Sequence, residues 1–212
     1  AGLIARHERE IFPLLRRRHL FAHADQFLLY DLRNPAGYVD ENVFAYSNRS
    51  GDERALIVYH NRYAQASGWI STSVAYAANV AQGDTRLVQR TLGEGLGLRD
   101  DPEAWCVFRD HISGLEYIRS SAEMCERGLY VELGAYKYHV FLDFREVWDD
   151  AAHHYGALAA HLNGRGVPSV PDAAAELALA PVLDPFRRLV NADLCRRIMA
   201  AAIQGEGTGQ VG

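Results

Sequence analysis

Several things are scarce in this sequence, and each scarcity excludes something. Cysteine occurs three times in 212 residues, at Cys106, Cys125 and Cys195. The number is odd and the spacings match neither a metal site nor a disulfide framework, which suits thiols kept in a reducing compartment, so a cytoplasmic location is expected. No run of about 18 apolar residues is present, and no membrane partner is expected. No signal-peptide pattern opens the chain, whose first residue is Ala, and the pattern starts in mid-helix as though the chain were part of something longer. Charge of one sign is also lacking. A net charge of −5 argues against a nucleic-acid groove, which needs a basic stripe. The one basic cluster, Arg16 to Arg18, follows an apolar-patterned segment and reads as the solvated last turn of a helix, where cations oppose the dipole. There is no internal repeat and no long low-complexity segment.

What is present is an ordinary globular composition, with 49% apolar and 23% charged residues, enough to build a core. Leu3, Ile4, His7, Ile11, Leu14 and Leu15 recur at helical spacing, and Pro13 should bend or divide that helix. A strand over 27–32 and a turn over 34–37 follow. Two β-prone runs, 43–49 and 55–59, flank Ser50-Gly51-Asp52-Glu53 and form a hairpin signal, since Gly supplies the positive φ of a tight turn. Further strands are expected over 69–77, 85–92, 105–110, 115–119, 129–133 and 136–147, with a short helix after Ser120 or Ser121 that ends at Gly128. From Asp149 the composition shifts to Ala, Leu, His and Arg. Three helices are expected there: one from Asp149 or Asp150 to about Leu162, one from Asp172 that halts before Pro181, and one opening at Asp184-Pro185. The tail from Gly205 to Gly212 is Gly-rich and expected to be disordered. The fold class is therefore mainly β with α: an antiparallel β-sandwich preceded by one helix and followed by a helical C-terminal tail.

Chemistry is harder to find. Gly93, Gly95 and Gly97 suggest a dinucleotide loop, but Leu98 to Pro102 cannot open the helix that such a loop needs, so a flexible loop between strands is expected. His153 and His154 point about 100° apart on a helix and His161 is two turns away, so no metal is expected. Arg109-Asp110-His111 sits at a hairpin tip. Glu116, Glu132 and Asp143 lie in strands, and no pair of them stands out as the two carboxylates that glycoside hydrolysis requires. No G-x-S-x-G motif is present, and no cofactor and no catalytic residue is expected. The aromatics concentrate on the β region, where most should be core. Trp69, Trp148 and Tyr136 are the candidates for exposed rings that stack on sugar faces.

The wording of the chain adds a family. The order of a helix, PLLRRR at 13–18, FLLYDL at 27–32 and VFAYSNRSGDERALIVYHN at 43–61 resembles the end of an α-amylase superfamily glycoside hydrolase, and GLYVELGAYKYHVFLDF at 128–144 is similar to its closing strands. The resemblance covers about two-thirds of the chain and is most specific over 43–61. It implies that residues 1–22 are equivalent to the last helix of a (β/α)8 barrel, 23–148 are the C-terminal sandwich domain, 149–204 are a helical extension and 205–212 a disordered tail. The region 83–128 reads as an insertion, and the helical tail is not a feature of common family members. The family's nucleophile Asp, acid/base Glu and third Asp sit on the barrel, and no acid here occupies a matching position. The function implied is a non-catalytic module of an α-glucan-acting hydrolase or transglycosidase, partnered by the barrel of the same parent protein, with α-glucan as a further candidate partner. The alternative is a stand-alone β-sandwich that binds carbohydrate or protein.

Overall fold

The computed structural model describes residues 2–79, 85–149, 154–190 and 192–205. It divides into two compact units, residues 1–170 and 171–212. The first begins with α1 (Gly2–Arg6), a π-turn (His7–Ile11), α2 (Phe12–Arg16) and a 3-10 turn (Arg18–Phe21). Pro13 explains the sequence of turns: it has no N–H for the Arg9 carbonyl and its ring crowds that carbonyl, and the wider π-turn just ahead of it relieves the clash. The strands are β1 (Leu28–Arg33), β2 (Val43–Ser50), β3 (Glu53–His60), β4 (Ala66–Ser73), β5 (Tyr76–Asn79), β6 (Thr85–Val88), β7 (Ala104–Asp110), β8 (Glu116–Ser120), β9 (Leu129–Leu133) and β10 (Tyr138–Trp148). Three helices complete the unit: α3 (Leu92–Leu96), α4 (Ser121–Glu126) and α5 (His154–Leu162).

The mainly β expectation holds. Eight strands form one continuous antiparallel sheet in the order β8-β7-β10-β3-β2-β1-β4-β9, and β5 with β6 forms a separate hairpin. The predicted hairpin pairs in full register from Val43↔His60 to Ser50↔Glu53, turning at Gly51 with φ +58°. Alternation along β1 buries Leu28, Tyr30 and Leu32 and turns Leu29 and Arg33 outward. The inward residues of β1–β4, β7, β9 and β10 meet in one core with Leu92, Leu96 and Met124 of α3 and α4. On β10 the alternation is reset once. Asp143 takes φ +55° at a bulge, so Phe141 and Phe144, three apart, both face that core. Asp143 itself accepts from Arg17 Nη1 at 2.6 Å.

The opposite face of β3 and β10 is covered by the N-terminal segment. Leu20, 1% exposed, packs with Ala55, Val140 and Leu142, and Leu14 joins at the edge. Glu10 extends the attachment: its carboxylate accepts from Arg6 Nε at 2.8 Å, Arg9 Nη2 at 2.8 Å and Tyr138 Oη at 2.9 Å. These partners hold its pKa down at about 2.

Four expectations are corrected. The strand over 69–77 is two strands, β4 and β5, interrupted at Val74 and Ala75. The strand over 85–92 ends at Val88. Residues 93–97 are not a flexible loop but the capped helix α3. Thr91 accepts from Glu94 N, Glu94 returns a bond to Thr91 N, and Gly97 closes the helix in the left-handed conformation. Its glycines serve close packing, because a Cβ on Gly93 would strike Cys125 and one on Gly95 would strike Tyr30. Lastly, α6 (Val170–Leu189) runs through both Pro181 and Pro185, where two helices were expected, and α7 (Ala192–Gly205) follows it. Pro181 and Pro185 are exposed, so water can serve the carbonyls that proline leaves without donors.

Ser120 caps α4, and Gly128 follows at φ +85°, as expected. Asp149 accepts from Tyr155 N and Gly156 N at the start of α5, which Asn163 and Gly164 stop with positive φ. Asp150, His153 and the expected disorder over 206–212 lie outside the described residues.

Candidate functional site

The two edge strands of the sheet, β8 and β9, are remote in ladder order yet line one cavity. It has a volume of about 480 Å³, within the usual range of small-molecule sites. Tyr117 and Arg119 come from β8, the whole of Leu129 to Glu132 from β9, and His139 and Phe141 from β10. The turn after α5, Asn163 to Arg165, roofs it. An adjoining cavity of about 450 Å³ continues beneath α5, lined by Trp105, Ile118 and Ala159, and shares Arg119, Tyr130, Asn163 and Gly164 with the first. Together they form a trough along the seam where the sheet fails to close.

Local chemistry fixes that trough. The left-handed pair Asn163 and Gly164 (φ +45° and +86°) turns the Gly164 carbonyl to accept from Arg119 Nη2 at 2.9 Å. Arg119 Nη1 donates to the Ile118 carbonyl at 2.8 Å, and its guanidinium carbon lies 5.8 Å from the Tyr117 ring centroid. Burial pushes the Arg119 pKa down, with the Glu123 charge the largest opposing influence. Arg165 donates from Nε to Leu162 O at 3.1 Å and from Nη2 to His161 O at 3.3 Å. Neither arginine has a carboxylate ion-pair partner among the described residues.

His139 stands on the opposite wall, its ring stacked 5.1 Å from that of Phe141. Nδ1 is 3.2 Å from Oδ2 of Asp110, which is 2% exposed, and Nε2 is 3.4 Å from the Glu132 carbonyl. Burial alone would lower the His139 pKa, but the Asp110 hydrogen bond and charge outweigh it and the net shift is upward. Burial likewise opposes ionisation of Asp110, and His139 with the Ser113 side chain and the Ile112 amide reverses it to a net lowering. A His–Asp pair is the supporting half of a nucleophilic triad. None of the residues lining the first cavity is Ser, Thr or Cys, and Ser120, which caps α4, lines the adjoining one.

Of the carboxylates singled out from the sequence, Glu132 lines the cavity, and Glu116 and Asp143 are engaged elsewhere. Glu116, 4% exposed, receives Arg109 Nη2 at 2.8 Å, Arg145 Nη2 at 3.1 Å and Val170 N at 2.8 Å, which ties the end of the first unit to β8. Its pKa is lowered against the effect of burial by Arg145 and the Val170 amide. Asp143 is paired with Arg17, and His111 Nε2 lies 3.1 Å from Glu10 O. No group of three or more His, Cys, Asp or Glu among the described residues is arranged to hold a metal.

The three aromatic candidates sit in three settings. Trp69 of β4 carries Arg127 over one face at 4.4 Å and meets Tyr130 edge-on at 5.5 Å. Trp148, 44% exposed, ends β10 and has Arg99 5.0 Å above it. Tyr136, in the β9–β10 turn with φ +55°, lies 6.3 Å from Tyr63, the most exposed aromatic at 84%. Sequence reading missed Tyr63 and the arginines of the trough, because no local pattern distinguishes them.

No protein-family model matches this chain. No curated protein matches it either.

Proposed function

We propose that this chain is a non-catalytic module of an α-amylase-like glycoside hydrolase or transglycosidase acting on α-glucans, seated against the catalytic barrel of the same parent protein. One observation carries the reading: apolar side chains stand exposed on the outer face of β1 to β3, beside the part that the N-terminal segment covers. Leu29 of β1 and the cross-strand pair Phe44–Tyr59 of β2 and β3 project outward there, while Ile57 of the same face packs under Leu20. Leu29, Phe44 and Tyr59 are 46%, 52% and 37% exposed. Ile4, Ile11, Phe12 and Leu15 of the N-terminal segment are exposed as well. Exposed apolar surface of this extent marks an interaction face. The resemblance of residues 43–61, which form two of these strands, supplies the identity of the partner.

The test is turnover of starch, maltodextrins and a chromogenic α-glucoside by the purified 212 residues. None is expected, and turnover that survives purification controls refutes the reading. Phe44→Asp and Leu15→Asp should change the stability of the chain itself by less than about 0.5 kcal/mol, as exposed substitutions do. The same changes should release the module from the barrel in the parent protein, read as loss of co-purification of the two separately expressed parts. A second reading, a carbohydrate-binding module, draws on the open Tyr63–Tyr136 pair, and glucan-gel retardation lost in Tyr63→Ala would favour it.

A further inference from the structure

We propose that the seam cavity between β8 and β9 is an oxyanion site that takes a phosphate group, held between Arg119 and Arg165. The proposal does not depend on the reading of the chain as an amylase-type module. It stands on the bonding of the two guanidiniums. Each carries five N–H donors, and each spends two of its nitrogens on backbone carbonyls: Arg119 on Ile118 O and Gly164 O, Arg165 on Leu162 O and His161 O. Carbonyls orient a guanidinium but leave its charge in place, so both side chains are aimed by fixed backbone and still have donors to give. Planar guanidiniums with free donors match the oxygens of a phosphate in bidentate fashion.

The remaining wall groups are mixed: the Glu132 carboxylate opposes an anion, while a ring and an amide accommodate one. Glu132 is the one carboxylate lining the cavity, and no ion pair joins it to either arginine. Glu123, in the adjoining cavity, is already 3.3 Å from Arg127. His139 faces the cavity from β10, but its ring nitrogens are engaged by Asp110 and the Glu132 carbonyl, so it adds no free cation. Tyr130, which lines both halves of the trough, offers a ring beside the anion position for whatever the phosphate is esterified to. Exposed Asn163 provides an amide at the mouth.

Titration of the whole chain with inorganic phosphate and, separately, with glucose 1-phosphate tests this, read by amide and side-chain NMR shifts at constant ionic strength with chloride as the reference. Saturable shifts confined to residues of the seam are expected. Arg165→Gln and Arg119→Lys should each weaken binding by about tenfold or more, the scale of one charge-assisted contact. Arg165 is exposed, so its variant keeps the test sound even if Arg119→Lys disturbs folding. Arg86→Gln, on the separate β5–β6 hairpin, should change nothing. Tighter binding of the ester than of free phosphate identifies a phosphorylated sugar as the source, and equal binding identifies free phosphate. No saturable shift by about 20 mM of either probe, a concentration that fills even a millimolar site, overturns the proposal. So does unchanged affinity in Arg165→Gln.

Discussion

Replacing Asp110 by Asn tests how far the His139–Asp110 pair holds the centre of the sheet. The Asp110 carboxylate has four donors around it: Ile112 N at 3.2 Å and Val140 N at 3.3 Å on Oδ1, with His139 Nδ1 at 3.2 Å and Ser113 N at 3.4 Å on Oδ2. Asn keeps the first oxygen and its two amides. It loses the charge, the Ser113 bond and the protonated form of the His139 bond. Bonds to a buried charged acceptor are worth roughly 1.5–3 kcal/mol, so Asp110→Asn should cost about 2 kcal/mol. In a domain of this size that lowers Tm by about 4–8 °C. Asp110→Ala also orphans the buried Val140 amide and should cost about 4 kcal/mol. The pH dependence separates this account from simple packing. His139 has its pKa raised above 6.5, so its contribution is complete below that value and is lost as pH rises through the folded pKa. Asp110 has its pKa lowered below 3.8, so its contribution is present above that value and is lost as pH falls through the folded pKa. The stability gap between wild type and Asp110→Asn should therefore be widest between these limits, around pH 5–6, and should narrow above neutrality. Urea denaturation across that range measures the gap, and NMR titration of His139 measures its cause. A gap that stays constant with pH, or an unaltered His139 pKa in the variant, refutes the reasoning.

Two further outcomes follow from packing. Leu20→Ala removes a fully buried side chain from the cluster with Ala55, Val140 and Leu142, and should cost about 2–5 kcal/mol while increasing amide exchange over residues 2–21. Gly68→Ala places a Cβ into the backbone carbonyl of Arg33, so denaturant midpoints should fall by the equivalent of roughly 1–3 kcal/mol, where Gly134→Ala, with only a flexible lysine stem nearby, should not.

What was legible in the sequence was local. The turn at Gly51, the cap at Ser120 and the stops at Gly128 and Gly164 depend on one or two residues with special backbone chemistry, and each is where the pattern placed it. Thr91 and Glu94 carried an equally local signal for α3, but three nearby glycines suggested a loop, and only their closeness to Cys125 and Tyr30 shows why glycine is needed there. The trough was not legible, because it depends on β4 pairing with β9 and β7 with β10. Arg119 and Arg165 line one cavity only through such non-local geometry. Likewise, nothing in the sequence around Trp69 reveals that Arg127 covers its ring.

The strand order also sets a timetable. β2 and β3 pair as soon as both exist, but the other side of β3 waits for β10, about 80 residues later, and one side of β4 waits for β9, about 60 residues later. During synthesis the first hairpins therefore emerge with unpaired backbone on both flanks and with Phe44 and Tyr59 uncovered. This is the interval in which a nascent chain pairs with the wrong strand. Folding of this protein should be slow, governed by the arrival of β10, and most vulnerable to association before residue 148 has been made.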